Sequence, residues 1–576
     1  MTNQRIAQTL EQLADLLEFT GTNPFRLRAY RNAARKISAM TDAIATMVER
    51  GDDLTKLDGI GKSVAEKCVT LVEDGKLQQL DDLLEEVPKS VLDMLRIPGL
   101  GPKRAAIIFN QLNISTLDQL KEAAEAGKIQ ELDGFAAKTE KAILAGIAIA
   151  AAAGQRIYWS EADAIAQRLR AHMADCSAIQ QMEFAGSYRR GKETVGDLDL
   201  LVTSDEPSRV MEHFAEFSEI ESEIVSGDTK MSVRIGDAFQ VDLRVVPDDA
   251  FGAALQYFTG SKEHNVVLRG MAKNRGLKIN EWGVFKVDGE QETWMAGRDE
   301  AEVYGALDLP VFPPEIRQAR FEFQWAEQGA LPDLITLDDI RGDLHMHTTA
   351  SDGQNSIDEM AAAAKKLGLK YIAITDHSKR VSMANGLDDD RLLAQWDDVD
   401  KANDSIKGIT ILKGIEVDIL EKGGLDISDA VLEQADWVTA SVHYGGKQDR
   451  ETITKRIVDA IAHPSVSAIS HPTGRLINQR EPYEVDMQAV MMAAKKYGKL
   501  LELNAHPVRL DLNELHCSMA REMGVSIVIN TDAHNIPGLQ MMRYGVKQAR
   551  RGGLTKDDVA NTRTWAQMKK LIGKPA

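Results

Sequence analysis

Two aspartates that alternate with apolar residues constrain one short stretch of the chain to a β-strand. Asp197 and Asp199 lie in the run Gly-Asp-Leu-Asp-Leu-Leu-Val, residues 196–202. A strand there projects both carboxylates from one face, about 6.6 Å apart. Two carboxylates at that separation repel each other unless cations lie between them, which suits Mg²⁺ bridged to substrate phosphates. Asp242 supplies a third carboxylate in the apolar run 239–246, which predicts a second strand.

The residues before these aspartates suit a phosphate. Gly186 and Ser187 predict a tight turn whose backbone N–H groups can receive a phosphate oxygen, and the cations Arg189, Arg190 and Lys192 follow closely. An Asp-x-Asp alone is also typical of an acidic turn beside an ordinary strand. The turn before it and the third aspartate after it favour a site that transfers a nucleotidyl group.

The same stretch resembles the palm of the family X DNA polymerases, the family that contains DNA polymerase beta. The shared motifs are Gly-Ser-aromatic-Arg-Arg-Gly at 186–191, Gly-Asp-x-Asp at 196–199 and the third aspartate, Asp242. The resemblance implies that Asp197 and Asp199 are catalytic and hold both of two Mg²⁺ or Mn²⁺ ions. It implies that Asp242 holds the ion that activates the primer 3′-OH.

The resemblance extends to residues that bind the incoming nucleotide. Tyr257 and Phe258 resemble the pair that crowds the sugar C2′ and disfavours ribonucleotides, and they are also compatible with core aromatics. Gln240 departs from the family, which often has arginine there, so an expected brace on Asp242 is weakened. The implied nucleotide-binding residues are Arg156, Gly186, Ser187, Arg190, Gly196, Tyr257, Phe258, Gly260, Asn265 and Arg269.

A repeated Gly-x-Gly motif precedes the palm. Leu57–Ala65 recurs at Ile97–Ala105 and, with Ala136 in place of the second glycine, at Leu132–Lys138. Each copy predicts a hairpin between two helices, because glycine allows positive φ and exposes N–H groups at a helix start. The copies resemble the helix-hairpin-helix motif, which grips DNA backbones without reading sequence, and the third is expected to be structural. The implied DNA-binding residues are Gly59, Gly61, Gly99 and Gly101.

The first helices carry basic residues that suit a DNA end. Segment 23–36 places arginines and aromatic residues on one predicted helix, which also fits an amphipathic helix with a solvated basic face. Lys67 matches the position of the Schiff-base lysine in the lyase domain of DNA polymerase beta. Arg26 and Ser63 stand where that family usually has lysines, so a phosphate-contacting or solvated Lys67 is the alternative.

The pattern of the chain changes at about residue 336. Apolar runs then alternate with helical patterns, which predicts a parallel sheet or an α/β barrel. One helix is expected to open with the capping box that starts at Ser356 and to end at Gly368. The predicted strands are 371–375, 409–414, 437–442, 466–470, 499–504 and 525–530.

Almost every one of these runs ends in a residue that can ligate a metal. The carboxyl ends of barrel strands form one face, so these side chains are expected to converge. Imidazole and carboxylate ligands suit two or three Mn²⁺, Zn²⁺ or Fe²⁺ ions and the hydrolysis of a phosphoester. His463, His506 and His516 are expected to be satisfied or solvent-facing instead. The predicted ligands are His345, His347, Asp352, His377, Glu416, His443, His471, Asp532 and His534.

The ligand motifs His-x-His, Ser-Asp-Gly, Thr-Asp-His and Asp-x-His resemble the PHP (polymerase and histidinol phosphatase) domain. A palm followed by this domain is the layout of bacterial family X DNA polymerases, whose PHP domain is associated with 3′–5′ exonuclease and, in some members, abasic-site nuclease activity. The fold class implied is multidomain. Its parts are a helical helix-hairpin-helix region (1–150), an α+β nucleotidyltransferase palm (151–250), a thumb-like subdomain (251–314), a linker (315–335) and an α/β PHP distorted barrel (336–576).

Composition agrees with a cytoplasmic enzyme of several domains. The formal charge of −19 is concentrated in residues 151–335, which carry 32 acidic and 19 basic residues, and bound cations would offset part of it. No apolar run approaches the length of a membrane helix, and the N-terminus has no signal-peptide pattern. Three distant cysteines suit a reducing cytoplasm. We expect a bacterial, nucleoid-associated monomer.

The leading hypothesis is a DNA repair enzyme that fills short gaps and trims 3′ ends. Its expected partners are gapped or primed DNA and deoxynucleoside triphosphates, with no membrane. A phosphatase of small metabolites would use only the C-terminal site, and the hairpin motifs argue against it. Intact carboxylates at both sites argue against a non-catalytic DNA-binding scaffold. A template-independent transferase shares the palm and stays open.

Overall fold

The computed structural model describes the chain except residues 2, 23, 41–42, 58, 89, 95–96, 98–99, 133, 137–138, 141–142, 145, 148–155, 237–238 and 574–576. The chain divides into two compact units. The first comprises Met1–Ile157, Glu161–Tyr188 and Thr194–Asp308, and the second comprises Tyr158–Ser160, Arg189–Glu193 and Leu309–Ala576. Among the described residues, no helix is both long and apolar enough to cross a lipid bilayer.

The N-terminal region is helical, as its apolar spacing predicts. The first helix buries Ile6, Leu10 and Leu13 completely, because residues three and four apart share one face. The chain reverses at Gly21, whose φ is +84°. The helices of this region are Asn3–Phe19, Pro24–Ala39, Ile44–Glu49, Lys62–Asp74, Gln78–Glu86, Val91–Met94, Pro102–Leu112 and Leu117–Glu125.

Two of the Gly-x-Gly motifs lead directly into helices. Gly61 is the N-cap of Lys62–Asp74 and Gly101 is the N-cap of Pro102–Leu112, and neither glycine has a side chain to cap its helix. Gly59 has a φ of +80°, a conformation that favours glycine. Gly99, predicted with them, lies outside the described residues. These helix starts agree with the predicted hairpins.

A five-stranded sheet carries the three aspartates. The strands up to residue 246 are β1 (Ile157–Tyr158), β2 (Gln181–Phe184), β3 (Thr194–Val195), β4 (Asp197–Thr203), β5 (Ile220–Ser226), β6 (Lys230–Ile235) and β7 (Phe239–Val246). The sheet order is β2-β4-β7-β6-β5, in which β4 and β7 are parallel and the other neighbours are antiparallel. Both predicted aspartate-bearing strands are therefore confirmed.

Helices and a small sheet complete this unit. Strands β8 (Leu277–Asn280), β9 (Gly283–Asp288) and β10 (Gln291–Ala296) form a three-stranded antiparallel sheet. The helices from residue 159 to 305 are Trp159–Ala174, Gly186–Arg189, Pro207–Ala215, Phe251–Thr259, Lys262–Asn274 and Glu300–Gly305. The Phe251–Thr259 helix is almost wholly buried, which fits its apolar sequence.

The second unit contains the predicted α/β barrel. Its strands are β11 (Gly342–Asp343), β12 (Tyr371–Ile374), β13 (Thr410–Asp418), β14 (Trp437–Ser441), β15 (Ala468–Ile469), β16 (Leu500–Asn504) and β17 (Ile527–Asn530). They are parallel and paired in chain order. A further parallel bridge joins Met346 to Ala533, directly after the first and last strands. This bridge brings the two edges of the sheet together, so the barrel is nearly closed.

Helices cover the barrel, as the alternating pattern predicts. The first of them has the predicted capping box, in which Ser356 and Glu359 bond each other's backbone N–H groups. The segment predicted as a linker holds the short helix Glu322–Glu327 and a fully buried Arg317. The helices from residue 357 are Ile357–Lys366, Asp389–Ser405, Asp429–Leu432, Arg450–Ala462, Met487–Tyr497, Glu514–Met523, Met542–Arg551 and Trp565–Leu571.

Candidate active sites

The three predicted palm aspartates lie on the two parallel strands of the five-stranded sheet. Asp199 on β4 pairs with Asp242 on β7, and Asp197 pairs with Gln240. Residues two apart on a strand share a face, and register partners share it too. Asp197 is exposed and Asp199 is half-buried, whereas Asp242 is buried. The sheet thus presents the three carboxylates on one face of neighbouring strands.

Gln240 contacts Asp242 although it departs from the family pattern. Its Nε2 donates a hydrogen bond to Oδ1 of Asp242 at 2.7 Å. The Lys230 ammonium and the Arg244 guanidinium each lie 3.8 Å from Oδ2 of the same carboxylate. Gln240 therefore supports Asp242 through one amide donor, and weaker support than arginine would give stays a prediction.

Gly186 and Ser187 begin a short helix, Gly186–Arg189, in place of the isolated turn that was predicted. Gly186 has a φ of +64°, and a Cβ there would lie 2.7 Å from Oδ2 of Asp199. Because glycine has no Cβ, the Asp199 carboxylate can approach the backbone at this residue. The hydroxyl of Ser187 is buried and has no hydrogen-bond partner among the described residues. A buried hydroxyl without a partner is costly unless a ligand completes it.

Arg156 lies beside the first aspartate. Its Nε donates to Oγ1 of Thr194 at 2.9 Å, and a Cβ at Gly196 would lie 3.1 Å from one of its guanidinium nitrogens. Burial lowers the pKa of Arg156, and the charge of Asp197 opposes that shift. Arg156 and Gly196 are thus neighbours next to Asp197. Arg190, also predicted to bind nucleotide, is half-buried.

The predicted nucleotide-selection residues form a connected set. The rings of Tyr257 and Phe258 meet edge to face, 5.2 Å apart, and both are half-buried. Asn265 donates from Nδ2 to the carbonyl of Tyr257 at 2.8 Å, and Arg269 donates to the carbonyl of Asn265 at 3.2 Å. Gly260 ends the helix that carries both rings, with a φ of +67°. The partial exposure of the two aromatic rings leaves them accessible to a ligand.

Lys67 stands close to a buried tyrosine. Its Nζ lies 5.9 Å from the ring centre of Tyr30. Burial raises the pKa of Tyr30, but hydrogen bonds from Ser63 and Arg26 and the charge of Lys67 outweigh burial and lower it. Phe25 is the exposed aromatic residue of the same basic helix, at 75% exposure. A lyase role for Lys67 stays a prediction.

The nine predicted ligands of the second unit lie at the carboxyl ends of the barrel strands. His345, His347 and Asp352 follow β11, His377 follows β12, Glu416 is on β13, His443 follows β14, His471 follows β15, and Asp532 and His534 follow β17. Eight of them form three overlapping groups whose ligand atoms lie within 4.8 Å of one another. The groups are His347–Asp352–His377–His534, His345–His347–Asp532 and His377–Glu416–His443. His471 joins them through a 3.1 Å contact from its Nε2 to Glu416.

Several buried atoms of the predicted ligands have no hydrogen-bond partner, although they lie close to one another. Nε2 of His345, Nδ1 of His347, Nδ1 of His377 and Oε2 of Glu416 have no hydrogen-bond partner among the described residues. Yet Nδ1 of His377 lies only 2.8 Å from Oε2 of Glu416. Close approach without hydrogen-bond geometry is what common ligation of a cation produces. The donor set, imidazole with carboxylate, fits divalent ions of the first transition row.

Two of these groups have the protonation state that metal binding requires. Burial, with the neighbouring His377 and His534, lowers the pKa of His347 to about 3, so its ring is neutral and offers a lone pair. Burial opposes ionisation of Glu416, but the imidazoles of His345 and His377 outweigh it and hold the pKa of that carboxyl well below its usual value. Burial opposes protonation of His345, His377 and His534, but nearby carboxylates outweigh it and raise their pKa values. A cation that binds these rings displaces their protons.

Three further residues support the ligands and were not predicted. Glu502 on β16 accepts a hydrogen bond from Nδ1 of His345 at 2.7 Å. Asp418 on β13 lies 3.1 Å from Nδ1 of His443. The Arg509 guanidinium lies 3.6 Å from Oδ2 of Asp532. Glu502 and Asp418 are ionisable residues in mainly apolar strands, and this pattern could have identified both from the sequence.

Two ligands have unusual backbone conformations. Asp532 has a φ of +55° and His471 a φ of +28°, which is the left-handed region that non-glycine residues rarely adopt. The backbone N–H of His471 donates to Glu502 at 2.9 Å, and that of Asp532 donates to the carbonyl of His345 at 3.0 Å. These bonds hold both residues in place, and such strain is typical of functional sites.

The three histidines excluded from the ligand set lie outside the metal-binding groups. His463 contacts Asp429 through Nε2 at 3.2 Å, and Nδ1 of His506 accepts from the N–H of Val508 at 3.3 Å. His516 differs from the expectation, because its Nδ1 is buried and has no partner among the described residues. Burial and the nearby Arg475 lower the pKa of His516 to about 4.

Family models match most of the chain in the predicted order. They are a helix-hairpin-helix domain at residues 1–77, a SAM-like helix-hairpin-helix tandem at 91–148, the DNA polymerase beta palm at 156–231, the DNA polymerase beta thumb at 254–318 and the PHP domain at 343–506. The palm model contains Asp197 and Asp199, and the PHP model contains seven of the nine predicted ligands, all except Asp532 and His534.

The relatives are of two kinds, one similar to about a third of the chain and the other similar to nearly all of it. "Probable phosphatase" proteins from Thermoanaerobacter sp. (strain X514) and Acetivibrio thermocellus are 34% and 33% identical over 38% and 33% of this chain, and over 89% and 78% of their own lengths. The "DNA polymerase/3′-5′ exonuclease PolX" of Bacillus subtilis (strain 168) is 41% identical over 567 residues, 98% of each chain. With the palm, thumb and PHP matches, this full-length similarity shows that the chain belongs to the family X DNA polymerases that carry a C-terminal PHP domain.

Proposed function

We propose that this chain is a DNA-directed DNA polymerase that fills short gaps and also removes nucleotides from 3′ ends. The observation that carries the proposal is the presence of two separate acidic sites, one on β4 and β7 and one in the barrel. The name of the full-length Bacillus relative supports both activities. The domain limits at 150, 250, 314 and 335 stay predictions.

Nucleotide addition is assigned to the first site. Asp197, Asp199 and Asp242 would hold Mg²⁺ or Mn²⁺, which when bound neutralises the triphosphate and promotes attack by the primer 3′-OH. Gln240 orients Asp242 through its 2.7 Å hydrogen bond. The unpartnered hydroxyl of Ser187 is positioned to donate to a phosphate oxygen.

The remaining residues of this site select the sugar and attract the anion. Tyr257 and Phe258, whose rings meet edge to face, would limit the space beside the sugar, and the cation of Arg156, next to Asp197, would attract the triphosphate. Gly59, Gly61, Gly99 and Gly101 hold the DNA backbone.

The substrates of the proposed enzyme are gapped or primed DNA and deoxynucleoside triphosphates. The protein acts as a monomer in the bacterial cytoplasm, where it is associated with the nucleoid.

Degradation of 3′ ends is assigned to the barrel site. Its imidazole-rich ligands would hold two or three Mn²⁺, Zn²⁺ or Fe²⁺ ions, which when bound activate water and the scissile phosphate. Glu502 accepts a hydrogen bond from Nδ1 of His345, so Nε2 is the nitrogen that would bind a cation, 3.5 and 3.6 Å from carboxylate oxygens of Glu416 and Asp532. The buried ligands also exclude bulk water from the inner part of the site.

A paired set of variants tests the assignment. Asp197→Ala should abolish extension of a gapped duplex and spare degradation of a 3′-labelled strand. The double variant His345→Ala with His347→Ala should lose bound metal and 3′ degradation and keep gap filling in Mg²⁺. Loss of both activities in either folded variant would contradict two separate sites. Nuclease activity that persists after the barrel has lost its metal would place hydrolysis elsewhere.

A further inference from the structure

The barrel site has an open side and a closed side. His345 and Glu416 are buried to 1% exposure or less, whereas the side chains of Asp352 and His534 are 35% and 34% exposed and that of His443 is 17% exposed. A substrate phosphate therefore reaches the ligands from the side of Asp352, His534 and His443, which follow β11, β17 and β14. Residues beside these ligands influence whether a polynucleotide or a small phosphoester fits.

Arg380 and Tyr444 meet beside the ligand His443. Arg380 is three residues after His377, and Tyr444 directly follows His443. The guanidinium carbon of Arg380 lies 4.4 Å from the ring centre of Tyr444, so the two groups form a cation–π contact. The side chain of Arg380 is nevertheless 39% exposed, so it remains accessible to a ligand.

The pair is held by its surroundings. The guanidinium of Arg380 forms an ion pair with Glu421, and its backbone N–H donates to Asp426 at 2.8 Å. The buried Arg456 donates to the carbonyl of Tyr444 at 3.1 Å, which fixes the loop that carries the ring. A cation and an aromatic ring with fixed positions can stack a ligand with little loss of side-chain entropy.

The same loop exposes an apolar side chain. Met383, in the 3₁₀ turn Ser382–Ala384, is 88% exposed, although large apolar side chains are usually covered. A partly exposed guanidinium, a half-buried aromatic ring and an exposed thioether are the kinds of side chain on which single-stranded nucleic acid stacks its bases. A small phosphoester without a nucleobase cannot use them.

We propose that Arg380, supported by Tyr444, stacks a base of the single-stranded 3′ terminus at one of the two nucleotides that flank the scissile phosphate. The contact is sequence-tolerant, because every base has a π-face. It makes the barrel site selective for polynucleotides over small phosphoesters. This inference rests on the proposed 3′-degrading function of the barrel and identifies how that site recognises its substrate.

The test removes the base and the guanidinium separately. Substrates are a single-stranded oligonucleotide with normal bases and two versions that carry a tetrahydrofuran residue, which has no base, at the last or at the penultimate position. Release of the terminal nucleotide is measured with wild type, Arg380→Met, Arg380→Lys and the control Lys407→Met. Lys407 is exposed and precedes β13, at the opposite end of the barrel from the ligands.

Wild type should cleave one of the two abasic substrates with a kcat/KM about tenfold below that of the normal strand, the scale of one stacked base. Arg380→Met and Arg380→Lys should both lose this discrimination, because neither has a planar cation, and Lys407→Met should keep it. Discrimination that persists in both Arg380 variants, or that is absent in wild type, overturns the inference. A wild-type enzyme that degrades none of the strands overturns the proposed function instead.

Discussion

Nδ1 of His345 lies 2.7 Å from a carboxylate oxygen of Glu502, inside the barrel and away from solvent. A carboxylate in this position fixes the ring orientation and raises the basicity of the other nitrogen. Glu502→Gln should therefore lower the metal affinity of the barrel and its 3′-degrading activity by about 10- to 100-fold. Metal content by elemental analysis and the rate of nucleotide release measure the effect.

Glu433→Gln is the matched control for this prediction. Glu433 is an exposed glutamate before β14, at the far end of the barrel from the ligands. The control should retain metal, and both variants should retain gap filling, since the aspartates of β4 and β7 are unchanged. Full metal content and full nuclease activity in Glu502→Gln would show that His345 does not need this partner.

The second prediction concerns the contact between Gln240 and Asp242 and its effect on gap filling. Gln240→Leu removes a hydrogen bond to a charged group, and we expect gap filling to fall about tenfold, with a higher Mg²⁺ requirement. Gln240→Arg, which restores the residue usual in the family, should retain activity. The measurement is the rate of extension across a Mg²⁺ titration. Equal activity of the leucine and arginine variants would mean that the hydrogen bond has no influence on the metal site.

The helix-hairpin-helix glycines make a third prediction. Among the described residues other than the chain neighbours, no atom lies within 4 Å of a Cβ built at Gly61 or Gly101, so we expect valine to fit there. If DNA backbone occupies that space, Gly61→Val with Gly101→Val should weaken binding to gapped DNA about tenfold, the value of a lost hydrogen bond to a charged phosphate.

Fluorescence anisotropy at several salt concentrations measures this binding. Gly305→Val, at an exposed glycine in the same unit that also has no atom within 4 Å of an added Cβ, is the control for valine itself. Unchanged DNA affinity in the double variant would remove the hairpins from the DNA-binding surface.

The buried nitrogen of His516 makes the second unit sensitive to acid. The pKa of this imidazole is about 4 in the folded protein and near 6.5 in the unfolded chain. As pH falls, the unfolded state binds the proton first, so stability is lost between these two values. His516→Leu should lose less stability than wild type over that range. Thermal unfolding at pH 7 and pH 4.5 checks this, and parallel losses in both proteins would contradict it.

Local patterns predicted much of this molecule. The strands that bear Asp197, Asp199 and Asp242 follow from alternation of polar and apolar residues. The ligands of the barrel follow from polar residues at the ends of apolar runs, because parallel strands end on one face. The capping box at Ser356 was readable because its two bonds involve residues three apart. Each of these signals lies within a few neighbouring residues.

Features that depend on distant residues were not predictable in the same way. Glu502 is 157 residues from His345, and Met346 is 187 residues from its bridge partner Ala533. The hydrogen bond from Gln240 to Asp242 was not predicted, because the comparison was with arginine and not with the donors that an amide offers. The exposed cation–π pair of Arg380 and Tyr444 joins two loops that nothing in the sequence connects.

The bridge between Met346 and Ala533 has a consequence for how the protein is made. The ligands that flank Met346, His345 and His347, and those that flank Ala533, Asp532 and His534, come from opposite ends of the barrel segment. During translation the first unit is complete by Asp308, while the barrel site lacks two ligands until residue 534 has left the ribosome. Because chains fold from the N-terminus as they are synthesised, the nuclease centre forms after the first unit.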